Sequence, residues 1–112
     1  MIKDLYPAKI KKAVDALLTN KGSTSPELRQ AVEAYAARLS GSQRETTTPP
    51  ADLNNYVDKV ALHAYKVTDK DIQQLKEAGY SEDDILEVTL CAGIGASLAR
   101  LERGLLALRG EI

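Results

Sequence analysis

The sequence predicts an all-α domain: a compact bundle of about five helices, assembled into an oligomer, with its long C-terminal helix buried in the core and at the subunit interface. Three observations predict it. Apolar residues recur at helical spacing in successive segments, each bounded by a capping residue, a glycine or a proline. No useful window shows the period-2 alternation of a strand. One C-terminal stretch, Val88 to Ala99, carries no charge on any face.

The chain has 112 residues, a usual length for one domain, and residues 1–112 are read as one. A domain of this size buries roughly two-thirds of its unfolded surface, enough for a core without disulfides or metal. Tyrosine is the only aromatic residue, with five copies and no Phe or Trp, so Leu, Ile, Val and Ala must build that core.

Pro7 opens the first helix, where its missing N–H costs nothing. Ile10, Val14, Leu17 and Leu18 follow at helical spacing, and Asn20 and Gly22 end it. Thr24 and Glu27 have capping-box spacing, with Ser25 as the alternative cap and Pro26 near the start of the second helix. Leu28, Val32, Tyr35 and Leu39 form its apolar stripe, and Gly41 closes it. Residues 40–50 lack apolar period and end in Pro49-Pro50, which predicts a mobile loop. A third helix is expected from about Ala51 to Tyr65, with Leu53, Val57, Val60, Ala61 and Ala64 on one face. Thr68 caps a short fourth helix with Ile72 and Leu75 inward, and Gly79 stops it. Ser81 caps the last helix, about Glu82 to Leu108, with Asp83 and Asp84 favourably placed near its positive end.

That last helix carries the expectation of assembly. Between Glu87 and Arg100 it runs about 18 Å without charge. A helix apolar all round is buried all round, and a protomer this small can hardly cover every face. Partner chains are the simplest cover. Small residues around Gly93 and Gly95 let a neighbouring helix approach closely.

Net charge is −1, which gives no general attraction to nucleic acid or anionic membrane. The segment Met1 to Lys12 lacks the pattern of a secretory signal, and no stretch reaches the roughly 18 apolar residues of a membrane span. A cytoplasmic protein is the expectation. One cysteine, Cys91, and one histidine, His63, exclude a disulfide within the chain and indicate neither a metal site nor a cofactor.

Each residue with chemistry has a structural alternative. Gly93-Ile94-Gly95 has Leu98 where the third glycine of a phosphate loop belongs and follows helix rather than strand, so helix packing explains it better. Cys91 sits one turn after Glu87, and a carboxylate and burial both oppose a reactive thiolate. His63 is a candidate general base oriented by Tyr56 or Glu87, or else a partly buried structural histidine. Arg100 and Arg103 could hold an anionic ligand at a subunit interface, or else return the helix to solvent.

Leu28-Arg29 and, more strongly, Leu75-Lys76-Glu77-Ala78-Gly79-Tyr80-Ser81-Glu82-Asp83-Asp84-Ile85-Leu86-Glu87-Val88 resemble carboxymuconolactone decarboxylase-like domains, which include the alkylhydroperoxidase D group. The resemblance covers roughly residues 24–108. It implies an all-α homo-oligomer, often a trimer or hexamer, whose active members reduce peroxides or decarboxylate a lactone. The peroxide-reducing members use Cys-x-x-Cys-x-x-x-His with an upstream glutamate. Here, ending that motif on His63 puts Tyr56 and Lys59 at the cysteine positions; anchoring on Gly79 puts Ala64 and Val67 there. Neither register offers a thiol, and dithiol exchange needs two. The resemblance is therefore to a branch without the redox centre. Three functions follow as expectations: acid–base chemistry or binding of a small organic ligand through His63, Tyr56 and Glu87; a non-catalytic oligomeric scaffold; or peroxidase-like activity of Cys91 with an external thiol.

Overall fold

In the computed structural model, residues 7–45 and 47–112 are described. Met1 to Tyr6, half of the N-terminal segment considered above, and Thr46 of the 40–50 loop lie outside them. Five α-helices run in order, α1 (Ala8–Thr19), α2 (Pro26–Leu39), α3 (Ala51–His63), α4 (Asp69–Glu77) and α5 (Glu82–Leu108), and the described residues contain no strand.

The caps explain the boundaries. Ser25, not Thr24, caps α2: its Oγ accepts from the Leu28 amide at 3.1 Å, and Pro26 occupies the first turn. At α4, the Asp71 carboxylate accepts from the Thr68 amide at 2.9 Å. At α5, Ser81 and Asp84 cap each other, side chain to amide, at 2.9 and 3.0 Å. Gly79 (φ 103°) supplies the left-handed residue between α4 and α5. The third helix ends two residues earlier than the spacing predicts. The chain leaves helical geometry at His63 (φ −146°, ψ 54°) and continues as a 3₁₀ turn, Ala64–Lys66.

The core gathers Val32 and Ala36 of α2, Leu53, Val57 and Ala61 of α3, Leu75 of α4, and Ile85, Val88, Cys91, Ala92 and Ala96 of α5. The most extensive helix contact is α2 with α5. Gly95 makes it possible: a Cβ there would run into the Glu33 carbonyl and lie 3.2 Å from the Ala37 nitrogen. In contrast, α1 buries no residue fully and packs against α2 and α5.

Within the protomer, α5 is not buried all round. Leu86, Leu90 and Leu101 remain 57%, 47% and 39% exposed. The described residues of the 40–50 segment form no helix or strand; among them Ser42 is buried, and Arg44 pairs with Glu33 at 2.6 Å. No described helix is long and apolar enough to cross a membrane.

Candidate functional site

The residues nominated by sequence do not gather into one site. His63 is exposed at the end of α3, edge-on to the Tyr65 ring at 6.0 Å. Tyr56 is buried, and its hydroxyl is 2.6 Å from Thr89 Oγ1. Thr89 spends its only proton on the Ile85 carbonyl (2.7 Å), so Tyr56 is the donor in that pair. Glu87 faces the α1–α2 connection. It accepts from the Ser23 amide at 2.6 Å and from the Thr24 amide and hydroxyl at 2.9 and 2.5 Å. Burial alone would raise the Glu87 pKa, but these hydrogen bonds and the Arg29 charge lower it on balance. Glu87 is thus an ionised anchor, and none of these hydrogen bonds joins two members of the expected trio.

Arg29, buried beside it, donates to the Leu17 and Asn20 carbonyls and lies 3.8 Å from Glu87. It covers the end of α1 while Glu87 holds the approach to α2. Gly22 leaves room for this, since a Cβ there would meet Glu87 Oε2 at 2.8 Å.

Arg100 donates to the Ala61 carbonyl at 2.7 Å, joining α5 to the end of α3. Arg103 is exposed. Neither lines the cleft described below. Cys91 is fully buried, and desolvation pushes its thiol pKa up to about 11. Iodoacetamide at neutral pH should accordingly label native Cys91 very slowly and the urea-unfolded chain fast; rapid native labelling would contradict this placement. Among the described residues no group of three His, Cys, Asp or Glu side chains could hold a metal.

The site that does form was not nominated by sequence. A cleft of about 640 Å³ opens between α1, α2, α5 and the residues after α2. Val14, Leu18, Ala34, Ala37, Leu98 and Ala99 supply apolar wall. Glu33 and Glu102, 2% and 6% exposed, place two carboxylates in it. Arg44 is bound by Glu33. Glu102 makes no hydrogen bond among the described residues; burial raises its pKa, opposed by the Arg44 and Arg103 charges. A roomy apolar cleft with a few polar groups and a displaced titration is what a small-molecule site requires.

No protein-family model, curated protein or solved structure matches this chain.

Proposed function

We propose that this chain is a small-ligand-binding domain whose site is the α1–α2–α5 cleft, with Glu102 as the group that holds and releases a proton there. The observation that carries this reading is the carboxylate of a buried residue, hydrogen-bonded to no described residue, in a cleft large enough for a small organic molecule. It keeps the expected acid–base chemistry and moves it away from His63, Tyr56 and Glu87. Relationship to the carboxymuconolactone decarboxylase-like superfamily, in a branch without the dithiol, belongs to the same proposal and rests on the quoted resemblance. Burial of Cys91 speaks against the single-thiol peroxidase alternative.

Two tests follow. Ala34→Leu should fill part of the cleft and abolish binding of benzyl alcohol while the fold persists; undiminished binding would place the ligand elsewhere. Glu102→Gln should leave stability at pH 7 unchanged or higher. A carboxyl whose folded pKa is raised contributes most below its unfolded pKa, and that contribution is lost as pH rises through the folded value. A large loss of Tm in Glu102→Gln at pH 7 would mean that the carboxylate is structural.

The scaffold reading has its own observation. Leu86, Leu90, Leu101 and Leu108 leave an exposed apolar line along α5, and Leu62 is exposed at the end of α3 that Arg100 ties to it. Gly93 lies on the same line, with nothing within 4 Å of where its Cβ would be. Glycine there costs about 1 kcal/mol of helix propensity against alanine, with no compensating contact in the protomer. A second copy of α5 approaching closely would supply that contact. Charge favours antiparallel pairing, because the first turn is acidic (Glu82, Asp83) and the far end carries Arg100 and Arg103. We therefore assign this face to self-association. Wild type should sediment as an oligomer and Leu90→Glu as a helical monomer; a wild-type monomer at high concentration would remove the assignment.

A further inference from the structure

We infer that the cleft selects a small organic cation, an amine with an apolar body, and that Glu102 is the residue that recognises its charge. This rests on the cleft being a ligand site. The charge lining it is unbalanced. Asp15, Glu33 and Glu102 contribute three carboxylates, while Lys11 and Arg44 contribute two cations. Arg44 is committed to Glu33 at 2.6 Å, and Glu33 is nearly inaccessible. Lys11 and Asp15 lie on exposed positions of α1 and remain hydrated. Glu102 remains: more than nine-tenths buried, acted on by the Arg44 and Arg103 charges but hydrogen-bonded to no described residue, and bordered by Leu98 and Ala99 of its own helix.

An ammonium group would give that carboxylate a charge-assisted hydrogen bond in a poorly hydrated place, where such bonds are strongest. The apolar wall from Ala34 and Ala37 would take the hydrocarbon part. A carboxylate ligand would instead add a fourth anion to the cleft. A neutral alcohol of the same shape would keep the wall contacts and forgo the charge. Hydrogen bonds to charged groups are worth more than neutral ones by enough to separate amine from alcohol by about tenfold in affinity.

Binding an ammonium also requires Glu102 to be ionised. The charges that act on it are those of Arg44, from the segment after α2, and Arg103 of α5; Glu33 of α2 and Lys11 and Asp15 of α1 line the same cleft. Amine affinity should therefore fall as pH is lowered through the Glu102 titration, while alcohol affinity stays level.

Calorimetric titration of the full chain with benzylamine, benzyl alcohol and benzoate tests this. Wild type should prefer benzylamine over benzyl alcohol by about tenfold and bind benzoate least. Glu102→Gln should lose the preference but keep benzyl alcohol, and Glu102→Asp should retain a weakened preference. Equal affinity for amine and alcohol, or a preference for benzoate, would overturn the cation assignment and leave the cleft as a ligand site. Absence of binding by all three would overturn both.

Discussion

Gly95→Ala should cost the protein about 3 kcal/mol of stability, while Gly93→Ala, two residues earlier on the same helix, should not destabilise the protomer at all. The two glycines look equivalent in sequence, and helix propensity alone predicts that either substitution stabilises by about 1 kcal/mol. The packing separates them. At Gly95 the new methyl would collide with the Glu33 carbonyl and crowd the Ala37 nitrogen, both backbone atoms of α2. Neither can rotate aside, so α2 and α5 must separate along the largest helix contact in the fold. At Gly93 the methyl meets open space. Chemical denaturation of the two variants reads the difference directly. If the α5 face pairs with a second copy as proposed, Gly93→Ala should instead weaken association, which sedimentation measures separately.

Glu87→Ala should be the second severe variant, losing about 3 kcal/mol. It removes the acceptor for the Ser23 amide and for both donors of Thr24, and it leaves the buried Arg29 without its neighbouring carboxylate. An uncompensated buried charge is costlier than a lost surface pair. The pH dependence follows with a definite sign. Because the folded-state pKa of Glu87 is lowered, its contribution is present above the unfolded value of 4.5 and is lost as pH falls through the lower folded value. Wild type should therefore lose stability in acid from this source, and Glu87→Ala should show a shallower acid slope. Equal slopes would show that the carboxylate is not ionised against Ser23 and Thr24. Had Glu87 been a catalytic partner of His63, its removal would instead cost turnover with little effect on folding.

Much of the helical architecture was legible because the sequence marks its ends. Pro7, Ser25-Pro26, Thr68 and Ser81 fall at helix starts, and Gly79 lies in the link from α4 to α5, where the structure needs its positive φ. Two boundary details were not legible. Thr24 and Ser25 are both good caps, and only the position of Glu87 on a distant helix decides that Thr24 turns away. The 3₁₀ turn at Ala64–Lys66 continues the apolar spacing of α3, so periodicity cannot see it. His63 illustrates the consequence. It stands beside the apolar stripe, but as the last residue of α3 it lies at an exposed end of the helix.

The site was less legible than the fold because its polar members lie where spacing assigns solvent. Glu33 lies on an amphipathic helix and Glu102 just beyond the uncharged stretch of α5, and the ordinary inference for each is a hydrated face. They are buried because α5 packs against α2 and α1 contacts both, a long-range arrangement that no local pattern encodes. Arg44 was hidden in a segment read only as a loop. The one available signal was Glu102 itself, an acidic residue between Arg100 and Arg103 immediately after the uncharged stretch.

Amide NMR of the labelled chain titrated with benzylamine shows whether the ligand sits in the cleft between α1, α2 and α5. Saturable shifts concentrated at Ala34, Ala37, Leu98, Ala99 and Glu102, and absent in Ala34→Leu, are the expected result. Shifts centred instead on His63 and Tyr65, or no saturable shift at the cleft residues, would contradict it.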